Sequence, residues 1–458
     1  MDTRYQKILI WLLSLIAFFL PLEYIGSFEI KGMNIRISQI LALILMIAWF
    51  WGLARRKVVY RKNFLTWPLV IFLAVNLISI IKAQDLGRSI EVFIFLAFTI
   101  FFGWLIAQIV RSKEDLLKII YALALSLVIV SLFGLWQFFG DAFGLPQSLT
   151  GLRDNYVKGV IGFTRIHATF REPLYYANYL FIPLFLLLAF WIKGAGTITP
   201  PNLPLVRGGT LKPSPLKRGS QRGWTGILIF LAFSNLVLTV ARGAYLAFAP
   251  GLAILLFILR KELKNYKKVF YFSLPLLLAL AFSFSAIKIF DGSREALRQA
   301  NYEEHVANIF TGSSFTERQE TMSLAWRAWE ENPLLGLGVG GFGPYAKDLL
   351  PWWQRNEMKI VNNEYLEILA ETGLLGFGSF IFLLYVIIRQ AIKAIREAKD
   401  DYWLAVLAGL FSAFIAILLQ YFTFSTLYIM YVWFLVGLLA AVVQICTQIN
   451  TNSANKCE

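Results

Sequence analysis

What limits this chain most is the spacing of its apolar runs. Twelve recur along it, at residues 8–25, 38–54, 65–81, 91–110, 116–139, 173–192, 224–241, 244–259, 269–287, 364–388, 402–421 and 426–446. Each has the length that carries a helix across a hydrocarbon core of roughly 30 Å. A mean hydropathy of +0.63 and 58% hydrophobic residues exclude an ordinary water-soluble core. The expectation is an all-α polytopic integral membrane protein of about twelve transmembrane helices, a single membrane domain over residues 1–458. Arg4 and Lys7 precede the first run, but no Ala-x-Ala type site follows it, so it reads as an uncleaved span.

The net charge of +15 would point to nucleic acid in a soluble protein. Here lysine and arginine collect between the apolar runs, where they orient the chain in the bilayer, so no nucleic-acid partner is expected. With both termini cytoplasmic, the inner segments hold 26 of the 43 Lys and Arg residues, and the longer outer ones hold the rest. Slipping the count by one span reverses the later loops. The weakest junction is between 224–241 and 244–259, joined only by Arg242-Gly243.

Three loops stand out. Residues 194–223 are rich in Pro, Gly, Lys and Arg without any acid, and read as a disordered cytoplasmic insert. Residues 140–172 and the large 288–363 loop face outward, so the polar part of the chain lies away from ATP and nucleotide sugars. No P-loop type glycine motif occurs. Cys446 and Cys457 have no partner at disulfide-framework or metal spacing.

The chemistry-bearing candidates lie in or beside those outer loops. Arg242 directly follows an apolar run in Thr239 to Leu246, where a guanidinium calls for an anionic partner or snorkels to the interface. Arg165 and Arg318 add two outside cations, and a diphosphate needs two or three such donors converging. Asn362-Asn363-Glu364 stands where the large loop re-enters the membrane; one Asn suits a helix N-cap, and a helix start beside arginines also favours phosphate. Gly373 and Gly376 in the following run suggest close helix packing. His305, beside Glu303 and Glu304, lacks metal-ligand spacing, so no metal and no cofactor are expected. His167 is the better acid/base candidate, although packing within its loop explains it as well.

Four segments taken together resemble the O-antigen ligase and polymerase superfamily of bacterial membrane proteins. They are Arg165 to Leu180, Arg242 to Leu246, Glu317-Arg318 through Pro333-Leu334-Leu335-Gly336-Leu337-Gly338 to Phe342, and Asn363, then nine residues, then Gly373-Leu374-Leu375-Gly376. The resemblance implies a bundle of the GT-C type in the bacterial inner membrane. It further implies metal-independent glycan transfer on the outer face, for surface polysaccharide or lipopolysaccharide. The donor would be an undecaprenyl diphosphate-linked saccharide; the acceptor would be a glycan, a lipid or a protein, in contact with membrane lipids. Arg242 and Arg318, assisted by Arg165, would bind the donor diphosphate and stabilise charge on the leaving group.

One departure is specific. The position of the family's His is Asn362 here, and an amide takes no proton at neutral pH. Either another group serves, with Glu364, Glu317 and His167 as candidates beside Asn362 itself, or positioning and leaving-group stabilisation suffice. Two other classes remain open on the sequence. A transporter, of the inorganic carbon type suggested for some relatives, needs polar residues lining a path, and the runs offer only scattered Asn76, Asn235 and Gln420. A non-catalytic assembly partner needs none of the arginines.

Overall fold

The computed structural model describes residues 2–23, 28–30, 33–194, 215–264, 266–291, 313–349 and 359–454. Most of the expected basic insert, and the 292–312 and 350–358 stretches of the expected large loop with His305, lie outside the described residues. Apart from one short hairpin, Phe28–Ile30 with Met33–Ile35, the regular structure is helical.

Each of the twelve apolar runs contains a helix among the described residues. Eight helices are long and apolar enough to cross a membrane: Ile37–Ala54, Leu86–Ile109, Lys113–Ala142, Pro173–Lys193, Val269–Ile289, Glu364–Glu397, Asp401–Gln420 and Met430–Thr451. The other four runs form shorter helices: Thr3–Phe19, Thr66–Lys82, Gly223–Leu238 and Arg242–Ile258. The protein is a polytopic helical membrane protein. Large apolar side chains such as Trp11, Trp51, Trp67, Leu125 and Tyr385 stand exposed, as lipid-facing positions do.

Contacts divide the chain into two compact units. The first comprises residues 1–59, 109–307 and 398–416; the second comprises 60–108, 308–397 and 417–458.

In the first unit the centre is Pro173–Lys193. Of its apolar window 89% is buried, against 33% for Ile37–Ala54, so the one is surrounded by protein and the other faces lipid. Pro173 starts this helix where a missing N–H does no harm, and Gly194 ends it in the left-handed conformation. It packs against the helices Pro215–Leu238 and Arg242–Ile258. A Cβ at Gly251 would meet the Phe185 ring at 2.8 Å, so the small residue sets the closeness of that crossing. Lys113–Ala142 starts on Ser112, whose hydroxyl accepts from Asp115 N at 3.1 Å, with Glu114 and Asp115 facing the positive helix end.

In the second unit the organising element is Glu364–Glu397, which packs against Thr66–Ser79, Ser313–Glu331 and Met430–Ala454. It is not one continuous helix. Gly373, at φ 62° and ψ −164°, separates a short arm, 364–372, from the remainder. The remainder alone is about 36 Å long at 1.5 Å per residue, enough to span. The expected single run 364–388 is corrected accordingly. A backbone break in a helix frees N–H and C=O groups, and here the Pro333–Leu337 loop takes them up. Leu337 N donates to Ala370 O at 2.9 Å, and Leu374 N and Leu375 N donate to Pro333 O and Leu334 O at 2.8 and 3.3 Å. A Cβ on Gly373 would strike the Leu334 carbonyl, and one on Gly336, itself at φ 67°, would strike the backbone of Glu371. The two glycine-bearing motifs form one interlocked backbone joint.

Candidate functional site

The first unit brings Arg165 to Arg242. Asp141 Oδ2 anchors the 158–164 loop by accepting from Lys158 N at 2.8 Å and Thr164 Oγ1 at 2.6 Å. The chain then runs along the end of Pro215–Leu238, with Ile166 N donating to Leu238 O at 3.2 Å and Arg165 Nε to Thr239 O at 3.4 Å. That helix stops at Leu238, and the next begins at Arg242. The junction expected at Arg242-Gly243 is therefore Thr239–Ala241, and Arg242 occupies the first helical turn. Val240 holds the break at φ 48°, a left-handed conformation that is costly for a β-branched residue and persists only where its surroundings impose it. Ala241, the N-cap, supplies no side-chain cap, so the positive end of Arg242–Ile258 keeps first-turn N–H groups that no cap side chain fills.

Arg165 stacks over the Tyr156 ring, 5.5 Å from its centroid. Burial pushes its pKa below the usual arginine range; the Tyr156 and Tyr245 hydroxyls and the Glu172 carboxylate act in the opposite sense, and the neighbouring Arg242 charge adds to the lowering. Arginine remains a cation at neutral pH regardless. Two guanidinium groups within electrostatic reach of each other, beside a helix start with no side-chain cap, are donor types that match phosphate oxygens.

His167 lies two residues on but is turned into the protein, only 2% exposed, and neither ring nitrogen has a hydrogen-bond partner among the described residues. Burial pushes its pKa down to about 4, with the Arg153 charge contributing. Its ring meets Tyr156 edge-on at 5.7 Å. The segment is clamped by Gln137, whose Oε1 accepts from His167 N at 3.2 Å and Ala168 N at 2.7 Å, while its Nε2 donates to Ala168 O at 3.0 Å. Ala168 needs that clamp because it sits at φ 48°.

The second unit holds Arg318, Asn362 and Glu364. Arg318 is on Ser313–Glu331, whose preceding residue Glu317 pairs with Lys359 at 2.6 Å. Asn362 has φ 58°, and Asn363 is the cap: its Oδ1 accepts from Leu366 N at 3.1 Å. Asn, Asp and His are the non-glycine residues most at ease in the left-handed region. Asn in place of His at 362 thus keeps the backbone while removing the titratable ring. Glu364 is 1% exposed, and its Oε2 accepts from Thr426 N at 2.6 Å and Leu427 N at 2.8 Å. It ties the arm to the 421–429 connection, and Glu364 N adds a bond to Tyr421 O at 2.8 Å.

Two further carboxylates on the arm were not singled out from the sequence. Glu367 Oε2 accepts from Ser425 Oγ at 2.6 Å and Val361 N at 3.1 Å. Glu371 accepts from Phe342 N at 3.2 Å and from the Tyr428 hydroxyl at 3.3 Å. Burial, reinforced by the Glu371 charge, pushes the Tyr428 hydroxyl well up, so it stays a donor. Glu364, Glu367 and Glu371 are spaced i, i+3, i+7, which aligns them on one helix face, and that periodicity was readable in the sequence. Gln137 and Arg88 carried no such signal, since their partners are distant in the chain.

Residues 227–381, about a third of the chain, match the family model described as O-antigen ligase, consistent with the O-antigen ligase-like superfamily. The match covers Arg242, Arg318 and the arm with its glycine joint. No curated protein matches the chain.

Proposed function

We propose that this protein, whose residues 227–381 match the O-antigen ligase family model, is a membrane glycan transferase that draws on a polyprenyl diphosphate-linked saccharide. The donor is undecaprenyl diphosphate-linked, the acceptor is a glycan or lipid, and the reaction takes place on the outer face of the inner membrane, with both termini cytoplasmic. The charge count over the loops supports that orientation.

The observation that carries the reading is the pairing of Arg165 and Arg242 at a helix start with no side-chain cap. A diphosphate suits two guanidinium groups set side by side, and charge grows on the oxygen of the sugar–phosphate bond as that bond breaks. Donors already in place stabilise that charge without reorganising. Arg318, on Ser313–Glu331, is the third candidate for diphosphate binding.

Deleting the gene and examining surface glycan tests the class of reaction. Lipid-linked saccharide should accumulate and the surface glycan should lose its chain length or its attachment; unchanged glycan refutes the reading. Arg242→Ala and Arg165→Ala should each abolish complementation while the protein still reaches the membrane. Full complementation by both would remove the diphosphate role.

A further inference from the structure

The second unit contains a cavity of about 330 Å³, within the range of small-ligand sites, that the donor reading does not use. Its lining includes Arg88, Lys359, Glu367, Glu371, Tyr428 and Phe95. The polar groups arrive from separate parts of the chain: Arg88 from Leu86–Ile109, the two glutamates from the arm, Tyr428 from the 421–429 connection. Most are already engaged. Arg88 Nε donates to Gly340 O at 3.0 Å, Lys359 pairs with Glu317, and Glu371 is bonded through both oxygens.

Glu367 differs. It is 6% exposed, and both of its hydrogen bonds end on Oε2, from Val361 and Ser425, neither of which lines the cavity. Oε1 therefore has no hydrogen-bond partner among the described residues, on a side chain that lines the cavity. A buried carboxylate oxygen left open beside an aromatic ring matches a hydroxyl donor. It does not match a phosphate, which the adjacent Glu371 and Glu91 would repel. Nor do three acidic or imidazole groups gather to hold a metal ion among the described residues.

We propose that this cavity is the subsite for the acceptor saccharide, and that Glu367 takes the proton of the attacking hydroxyl. The inference rests on the glycan-transfer reading. The acceptor oxygen forms a bond to the anomeric carbon of the donor sugar as the bond from that carbon to the diphosphate oxygen breaks. The electron pair leaves with the polyprenyl diphosphate, and the hydroxyl proton goes to Glu367 Oε1. Burial raises the pKa of Glu367, which strengthens it as a proton acceptor, with the Ser425 and Val361 hydrogen bonds and the Arg88 charge acting in the opposite sense, while Ser425 and Val361 fix its direction. A carboxylate in this role supplies what Asn362 cannot.

The test uses purified full-length protein in nanodiscs with lipid extracts of a strain lacking the gene, which hold the accumulated lipid-linked glycan together with its acceptor. Glu367→Gln keeps the shape and an acceptor for Ser425. It should slow transfer by about 100-fold or more, the scale of general-base catalysis, and should abolish the acid limb of the rate–pH profile. In Glu367→Ala, added formate should restore transfer at least several-fold, which a purely structural role would not allow. Val92→Phe, at the cavity wall, should depress transfer at low acceptor and recover as acceptor is added. If wild type leaves the lipid-linked glycan untouched, the transfer reading fails and this inference with it. If wild type transfers while Glu367→Gln stays within a few-fold with the same pH profile, or Val92→Phe leaves acceptor dependence unchanged, the inference alone is overturned.

Discussion

Lowering the pH from 6.5 towards 4 should destabilise this protein through His167. The imidazole is 2% exposed, and its pKa is pushed down to about 4 by burial and the Arg153 charge, against about 6.5 in an unfolded chain. Between those two values the unfolded chain binds a proton that the folded chain excludes, so stability falls as pH drops from 6.5 towards 4 and is unaffected above. At about 1.4 kcal/mol per unit, the loss reaches about 2 kcal/mol at pH 5 and about 3 kcal/mol below pH 4. Denaturant unfolding in nonionic micelles at pH 7.5 and pH 5 measures it, with His167→Leu as the reference that cannot titrate. Wild type should lose about 2 kcal/mol more than the variant across that interval. An equal loss in both would mean that the imidazole is hydrated or bonded in the folded state, and the buried-ring account would be wrong. The same geometry sets its part in any chemistry: at neutral pH the ring is uncharged and enclosed, so His167→Leu should retain transfer while His167→Lys should not fold.

Other positions separate conformational from chemical roles. Gly373→Ala should destabilise the second unit by about 2 kcal/mol or more, because a left-handed residue gains a Cβ against the Leu334 carbonyl; protease sensitivity of the arm reports it. Asn362→Gly and Asn362→His should both fold normally, whereas Asn362→Val should lose about 1–2 kcal/mol, since only the last resists φ 58°. Gln137→Leu leaves two backbone N–H groups and one carbonyl without their partner, so a loss of about 2 kcal/mol or more is expected in the same unfolding assay.

Much of the architecture was legible because lipid imposes it. A chain that must bury its backbone polar groups in helices and its apolar side chains in hydrocarbon writes each span as a run, and every expected run contains a helix. The junctions were less legible. The break before Arg242 lies at Val240, a residue whose composition suggests continuation, and the break at Gly373 falls inside an apolar run. Both are decided by what packs on them: the Arg165–Ile166 segment on one, the Pro333–Leu337 loop on the other. Gly373 and Gly376 were read as marks of close helix packing; Gly373 instead breaks its helix, against the backbone of Leu334. That Gly336 and Gly373 form one joint could not be seen, since 37 positions separate them.

The candidate residues divide in the same way. Arg165 and Arg242 drew notice because guanidinium groups beside apolar runs are costly, a rule that needs no coordinates, and the first unit does bring them together. Glu364 attracted attention by its place at the helix start, yet its carboxylate holds the 426–427 backbone. The carboxylate with an open oxygen is Glu367, one turn further on. Sequence by itself determined that the chain spans a membrane many times and which polar segments interrupt it, because hydrophobic length and charge asymmetry act locally along the chain. Only tertiary structure decided which of those polar groups still have an unused hydrogen-bonding atom. That depends on the partners brought by distant segments, and a buried side chain that bonds Ser425 through one oxygen and lines a cavity looks, in sequence, like its neighbours.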